Sequence, residues 1–221
     1  MPTIRINPDF EPLKYEKLYW SMNKFVCGVD EVGRGCFAGP VVAAAVILKP
    51  NVKHDLIRDS KVLSEKQRII ACQWIKNNSY WALGFADHHV INKINIYNAT
   101  LIAMKRAVIQ LLSSSYLSPS LILVDHMPLV IKDIDMPIFH FSYGESLSSS
   151  VAAASIIAKV ARDELMNRIN KYIPGYKFDT NKGYGTEFHR DYIDQSGLLF
   201  IHRKKFVSHL STIKKIVDKV I

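Results

Sequence analysis

Cysteine is scarce in this chain of 221 residues, and its arrangement argues against two classes of small protein. The three cysteines, Cys27, Cys36 and Cys72, are odd in number and include no Cys-x-x-Cys pair. The eight histidines also lack the spacing of metal ligands. A disulfide scaffold or a structural zinc site is therefore not expected, and a reducing, cytoplasmic setting fits best.

Long apolar segments are missing as well. The longest uninterrupted apolar run is "VVAAAVIL" at residues 41–48, whereas a membrane-spanning helix needs about 20 apolar residues. The first 20 residues have no apolar stretch of the secretory kind, and no internal repeat or low-complexity tract is present. We therefore expect neither a membrane partner nor export.

Positive charge is in excess. Lys and Arg number 29 and Asp and Glu number 20, so the formal net charge is +9. Hydrophobic residues at 48% and charged residues at 22% are ordinary for a globular protein. The excess favours a polyanionic partner, most simply nucleic acid, although many basic proteins have no such partner.

Apolar runs and helical periodicity alternate along the chain. Helices are predicted around residues 15–20, 64–78, 98–115 and 146–173, the second opened by a capping box of Ser64 and Gln67. Strands are predicted at residues 24–30, 41–48, 80–88, 120–125 and 136–143. The order indicates an α/β protein with a mixed β-sheet flanked by helices, followed by a C-terminal helical extension.

Acids follow two of the predicted strands. Asp30 ends the apolar run "FVCGVD" and is followed at once by Glu31, and Asp125 ends "LILVD". If these strands are neighbours, their carboxylates converge at one edge of the sheet.

A further acid lies on a helix face that should be buried. On a wheel of about 3.6 residues per turn, Asp163 falls on the apolar side of the long helix, with Ala152, Ile156 and Val160. A buried carboxylate needs a neutralising partner, either a salt bridge to Lys159 one turn earlier or a bound cation. The residues alone leave both open.

Four converging carboxylates, Asp30, Glu31, Asp125 and Asp163, would repel one another unless cations lay among them. Oxygen ligands suit Mg²⁺ or Mn²⁺, and two such ions can promote phosphodiester hydrolysis. The sequence therefore predicts a basic α/β protein with a possible two-metal phosphodiesterase site.

At these residues the chain resembles the type 2 ribonuclease H family. The matching stretches come in family order and span roughly residues 25–205: "GVDEVGRG", "AGPVVAAAVI", "DSKVLSEKQR", "INIYNAT", "LILVD", "AAASIIAKVARDELM", "KGYGT" and "IHR". The resemblance implies a ribonuclease H-like fold, with a lead-in at 1–24, a catalytic domain at 25–175 and a substrate-binding helical extension at 176–221.

The resemblance also implies an activity. The family cleaves the RNA strand of RNA–DNA hybrids, and duplex DNA on the 5′ side of a single embedded ribonucleotide, leaving 3′-hydroxyl and 5′-phosphate ends. We accordingly expect a monomeric, metal-dependent enzyme of ribonucleotide excision repair and DNA replication.

The family's functional residues map onto eleven positions of this chain. The metal ligands map onto the four acids named above. The predicted substrate contacts are the turn Gly33, Arg34 and Gly35, the ribose-reading Tyr184, and Lys61, Ser155 and Lys159 near phosphates.

Four positions depart from the family pattern. Cys36 stands where proline is usual and His126 where glycine is usual, while Tyr143 and Glu145 replace a lysine and an aspartate. These departures keep a second hypothesis open, a hybrid-binding protein with degenerate catalysis. A third is a carboxylate nuclease that acts on DNA alone.

Overall fold

The computed structural model describes residues 13–57, 60, 62–115, 117–132, 134–141 and 147–210. Its strands are β1 (Val26–Val32), β2 (Val41–Leu48), β3 (Ser79–Ala86), β4 (Leu121–Asp125) and β5 (Ile138–Phe141). Its helices are α1 (Lys14–Ser21), α2 (Glu65–Asn78), α3 (His88–Ser114), α4 (Ser149–Tyr172), α5 (Phe178–Asn181), α6 (Glu187–Ser196) and α7 (Lys204–Val207), with a 3₁₀ turn at Pro174–Tyr176.

The five strands form one mixed sheet in the order β3-β2-β1-β4-β5. β1, β2 and β3 pair antiparallel in sequence, which confirms the predicted hairpin, whereas β4 and β5 run parallel to β1. β1 continues to Val32, two residues beyond the predicted end at Asp30, because its ladder with β2 persists after its ladder with β4 has ended.

Helices cover both faces of the sheet, and the alternation of β2 shows which helix covers which. Ala43, Ala45 and Ile47 lie in the cluster that α3 completes. The intervening residues Ala44 and Val46 lie in the cluster completed by α2 and α4. A strand buried on both faces explains why 41–48 is apolar throughout.

Helix α3 begins ten residues earlier than the predicted start at Asn98. Asp87 caps its first turn by accepting a hydrogen bond from the Val90 amide at 2.9 Å. Asn95 interrupts the helix with a φ of 68°, and its side chain caps the second segment through the Asn98 amide. The two segments lack one continuous apolar stripe, so periodicity detected only the second.

The C-terminal segment packs on α4 and on the loop between β1 and β2. Its apolar cluster includes Phe178, Ile193 and Val207 together with Met166 of α4 and Ala38 of the loop. The division into domains at 25–175 and 176–221 stays a prediction. Within the described ranges, no helix is both long and apolar enough to span a membrane.

Candidate active site

A cavity of about 570 Å³ opens where β1 and β4 end. Nine of the eleven predicted site residues line it: Asp30, Glu31, Gly33, Arg34, Gly35, Asp125, Ser155, Lys159 and Tyr184. The tenth, Asp163, bonds to the cavity-lining Lys159. The eleventh, Lys61, lies outside the described residues.

The two strand-borne aspartates lie side by side because of the sheet register. The ladder between β1 and β4 ends with Val29 opposite Val124, so Asp30 and Asp125 are the next residues on the two strands. Asp30 is only 7% exposed, and its Oδ1 accepts a hydrogen bond from the Glu31 amide at 2.7 Å. Burial raises the pKa of Asp30 well above its usual value, and the charges of Glu31 and Asp125 raise it further.

Glu31 is incompletely neutralised. Burial raises the pKa of its carboxyl to about 7, while the Arg34 charge lowers the pKa and the Asp125 charge raises it. Nη1 of Arg34 lies 3.4 Å from Oε1 of Glu31, but Oε2 is buried with no hydrogen-bond partner among the described residues. Repulsion among neighbouring carboxylates therefore persists despite the arginine.

Asp163 of α4 is buried, in line with its position on the apolar side of the helical wheel. Its Oδ1 accepts a hydrogen bond from Nζ of Lys159 at 2.9 Å, so the salt bridge anticipated from the sequence is present. With side chains so placed, no group of three or more His, Cys, Asp or Glu in the described part of the chain is arranged to hold a metal ion. Asp30, Glu31 and Asp125 interact electrostatically, whereas Asp163 is paired with Lys159.

The donor set nevertheless fits a hard divalent cation. The four acids offer only carboxylate oxygens, the ligands that Mg²⁺ and Mn²⁺ prefer. The raised pKa values of Asp30 and Glu31, and the unpartnered Oε2 of Glu31, mark negative charge that the surrounding residues leave uncompensated. A cation among these oxygens would compensate it, and Asp163 would join such a site by leaving Lys159.

The turn after β1 requires glycine at its first position. Gly33 has a φ of +91°, and a Cβ there would lie 2.2 Å from Nε of the buried Arg162. At Gly35, by contrast, a Cβ would meet no heavy atom of the described residues within 4 Å. Glycine is therefore required at position 33 by its positive φ and by its contact with Arg162. At Gly35 the open space leaves room for a ligand to approach the backbone.

Two buried arginines hold this turn and the loop that follows it. Arg162 of α4 donates hydrogen bonds to the carbonyls of Pro40, Ala38 and Lys182 at 2.7 to 3.0 Å. Arg203 donates to the carbonyl of Arg34 at 2.8 Å and to that of Gly39 at 3.0 Å. Neither arginine is among the predicted site residues, although both lie in matched stretches, "VARDEL" and "IHR".

Tyr184 closes the cavity from the C-terminal segment. Its ring is partly exposed and lies 5.9 Å from both Nζ of Lys159 and Cζ of Arg162. Burial, and next the neighbouring Cys36, raise the pKa of Tyr184 to about 12. Its phenol therefore stays protonated at neutral pH, with its hydroxyl hydrogen-bonded to the side chain of Cys36.

Ser155 links α4 to the strand acids. Its hydroxyl bonds to the carboxylate of Asp30, which lowers the pKa of that acid, and its Oγ lies 2.8 Å from Oγ of Ser60. Arg68 also lines the cavity, and its guanidinium donates to the carbonyls of Ser60 and Leu63. Ser60 and Arg68 were not among the predicted site residues, and the only sequence signal for them is that both lie in the matched stretch "DSKVLSEKQR".

Two of the four departures from the family pattern can be placed. Cys36 is buried and forms an isolated β-bridge with Tyr184. His126 has a φ of 57°, in the left-handed region that favours glycine. Tyr143 and Glu145 lie outside the described residues.

Comparison with known proteins places the chain in a family. The family model described as Ribonuclease HII matches residues 27–209. The ribonuclease HII of Acholeplasma laidlawii is 43% identical over 211 residues, covering 95% of this chain and 98% of the relative. That of Pelagibacter ubique is 44% identical over 186 residues, covering 83% and 96%.

Solved structures agree in fold. Ribonuclease H2 from Pyrococcus horikoshii matches with a TM-score of 0.65 at 22% identity, covering 88% of this chain and 98% of that one. Bst ribonuclease HIII in complex with Mn²⁺ matches with a TM-score of 0.66 at 20% identity, covering 89% and 70%. The sheet and its flanking helices are thus ribonuclease H-like, and the chain belongs to the ribonuclease HII family of metal-dependent ribonucleases.

Proposed function

We propose that this protein is an endonuclease that cleaves the RNA strand of RNA–DNA hybrids and cuts duplex DNA on the 5′ side of a single embedded ribonucleotide. The products would carry 3′-hydroxyl and 5′-phosphate ends. One observation carries the proposal: three acids, Asp30, Glu31 and Asp125, line the same cavity as the turn Gly33–Gly35 and Tyr184. Recognition of the sugar and hydrolysis of the phosphodiester would then take place within one cavity.

Asp30, Glu31, Asp125 and Asp163 would hold the divalent cations, Mg²⁺ or Mn²⁺. Two such ions, when bound, supply a nucleophilic water and stabilise charge on the attacking and leaving oxygens. Release of Asp163 would free Nζ of Lys159, a residue that lines the cavity, to pair with a substrate phosphate.

The remaining residues bind and orient the nucleic acid. The open side of Gly35 admits a sugar-phosphate backbone, and Arg34 can bond a phosphate through its guanidinium. Tyr184 offers a protonated hydroxyl, and the 2′-hydroxyl is the group that distinguishes RNA from DNA at one site. Ser155, Lys61 and the newly found Arg68 are proposed phosphate contacts.

The excess of positive charge supports binding to the polyanionic duplex. We further propose that the protein acts as a monomer in the cytoplasm, on ribonucleotides left in DNA. We also propose that the catalytic domain ends at residue 175 and that the C-terminal segment contributes to substrate binding. That segment supplies Tyr184 and Arg203.

The test uses a DNA duplex with one ribonucleotide, an RNA–DNA hybrid and an all-DNA duplex, each with Mg²⁺ or Mn²⁺. Cleavage of the first two but not the third is expected. Asp30→Asn should abolish cleavage while binding survives, whereas Asp135→Asn, which changes an exposed acid before β5, should behave as wild type. Salt-sensitive binding without turnover under either metal would instead identify a binding protein, and cleavage of all-DNA would identify a DNA nuclease.

A further inference from the structure

Two buried histidines lie behind Tyr184 and contact each other. His189 of α6 and His202 are 0% and 2% exposed, and their Nε2 atoms are 3.1 Å apart. Nδ1 of His189 lies 2.8 Å from the backbone carbonyl oxygen of Tyr184. Nδ1 of His202 lies 2.8 Å from the backbone amide nitrogen of Leu199. The pair therefore connects the Tyr184 loop to the segment before α7.

The contact with Tyr184 fixes the proton on His189. A carbonyl oxygen only accepts hydrogen bonds, so Nδ1 of His189 must carry a proton and donate it. In a neutral ring, Nε2 then has a lone pair and must accept. The His202 ring opposite must accordingly donate from its own Nε2.

The contact with Leu199 independently requires that the proton of the His202 ring lie on Nε2. The Leu199 amide always carries its proton, so Nδ1 of His202 must accept and Nε2 of His202 must carry the ring proton. The Leu199 carbonyl oxygen lies 3.2 Å from the same nitrogen, but a proton on Nδ1 would face the proton of the Leu199 amide across the shorter contact of 2.8 Å. One tautomer of each neutral ring therefore satisfies all three contacts.

The surroundings favour neutral rings. Phe37, Tyr176 and Phe178 pack against His189 with ring centroids 5.5 to 6.2 Å away. A charged imidazolium would be poorly solvated in this aromatic cluster, and a second proton on either ring would place two donors face to face.

Residues 202 and 203 connect to two of the residues that line the cavity. Arg203, the next residue after His202, donates to the carbonyl of Arg34 in the glycine turn. His202 is linked to the backbone of Tyr184 through His189. One short segment thus sets the positions of the turn and the tyrosine, which the proposed function assigns to ribose recognition.

We propose that His189 and His202 are positioning residues. They form a directional hydrogen-bond relay from the Leu199 amide through His202 and His189 to the Tyr184 carbonyl, and this relay places Tyr184 for contact with the ribose of the substrate. The relay itself depends only on the fold. Its role in selectivity rests on the proposed function of Tyr184.

The first experiment examines the relay without substrate or activity. Long-range ¹H–¹⁵N correlation spectra of the ¹⁵N-labelled wild-type protein at pH 7 report the tautomer of each histidine ring. We expect His189 protonated only at Nδ1 and His202 only at Nε2. Any other tautomer, or a charged ring at either position, overturns the relay whatever the enzyme cleaves.

The second experiment tests whether the relay acts through Tyr184. His202→Asn keeps an acceptor near Nδ1 but cannot reach His189, whereas His202→Gln places a side-chain amide donor near Nε2. On the single-ribonucleotide duplex, His202→Asn should lower kcat/KM on the order of 10- to 100-fold, and His202→Gln should recover part of that loss. His140→Asn, on the edge strand β5, is the matched control and should have little effect.

A double-mutant cycle separates positioning from general loosening of the fold. Tyr184→Ala combined with His202→Asn should be no slower than Tyr184→Ala alone, because the His202 change acts through the placement of the side chain that Tyr184→Ala removes. Losses that multiply, or a His202→Asn variant as active as wild type, overturn the positioning role. The cycle requires a Tyr184→Ala variant that is slower than wild type but still measurable. If Tyr184→Ala cleaves normally, the assignment of Tyr184 and the selectivity role fall together, while the tautomer result stands by itself.

Discussion

Replacing Gly28 by alanine will test how closely α4 must approach β1 for the acids to work together. An alanine Cβ at this position would lie 2.1 Å from the Ser150 carbonyl carbon and 2.2 Å from the Val151 nitrogen, both in the first turn of α4. Ordinary contact begins at 3.4 Å, so the helix must retreat by about 3.4 − 2.1 = 1.3 Å. Backbone atoms cannot rotate away as a flexible side chain would.

That displacement acts on the site because the two elements carry different parts of it. β1 supplies Asp30, and α4 supplies Ser155 and Asp163. Overpacking of this kind costs about 1–3 kcal/mol of unfolding free energy. A misplacement of about 1 Å between catalytic groups can lower the rate about 100-fold.

Gly84→Ala is a matched control. A Cβ at Gly84 would lie 2.0 Å from the Ala103 carbonyl oxygen of α3, an equally severe clash against a helix backbone. Helix α3 carries none of the proposed site residues, so Gly84→Ala should lose comparable stability but keep the activity of its folded fraction.

The assay combines urea unfolding with single-turnover cleavage of the single-ribonucleotide duplex at a temperature where both variants are folded. Gly28→Ala should be about 1–3 kcal/mol less stable and on the order of 100-fold slower. Equal rates for the two variants, or a Gly28→Ala protein as stable as wild type, would refute the view that this contact sets the site.

Two further predictions concern stability. Glu16→Ala should lower the unfolding free energy by about 1–3 kcal/mol, because the buried Oε1 of Glu16 accepts hydrogen bonds from the Ser148 hydroxyl and the Ser150 amide. Urea unfolding measures this loss. Lys17→Ala, at the neighbouring exposed residue, is the control and should leave the unfolding free energy unchanged. Burial lowers the pKa of His202 from the usual 6.5 to about 4, with the charges of His189 and His88 adding to the effect. As the pH falls below 6.5, His202 takes up a proton in the unfolded chain before it does so in the folded protein. This difference should lower the unfolding free energy by about 2–3 kcal/mol between pH 7 and pH 4.5. Urea unfolding of His202→Asn should show that much less acid dependence, and an identical acid dependence would contradict the assignment.

The site residues that could be predicted from the sequence are those whose position in a local apolar pattern is itself unusual for an acid. Asp125 ends an apolar run, and Asp163 falls on an apolar helix face, so both could be found without knowing what surrounds them. Whether the strands of Asp30 and Asp125 are neighbours could not be read locally. It depends on β1 lying between β2 and β4, which is a property of the whole sheet.

The parts that the sequence left unassigned are buried polar side chains with tertiary partners. Arg162 and Arg203 resemble surface arginines in the sequence, yet both are fully buried and donate to carbonyls 20 to 169 residues away. His189 lies in no pattern that predicts burial, and it is also fully buried. No periodicity identifies such residues, because their burial is decided by carbonyls that other segments bring to them.

The C-terminal segment therefore does more than extend the fold. The loop between β1 and β2 is bonded on both sides by that segment: the Phe37 amide donates to the Gly183 carbonyl at 2.8 Å, and the Arg203 amide donates to the Phe37 carbonyl at 2.7 Å. The glycine turn lies in the same loop connection, so its position depends on residues that follow it by about 150 positions or more. The acids can be placed by the sheet and α4, but the side of the cavity that contains the glycine turn and Tyr184 is complete only when residues 183–203 pack against it.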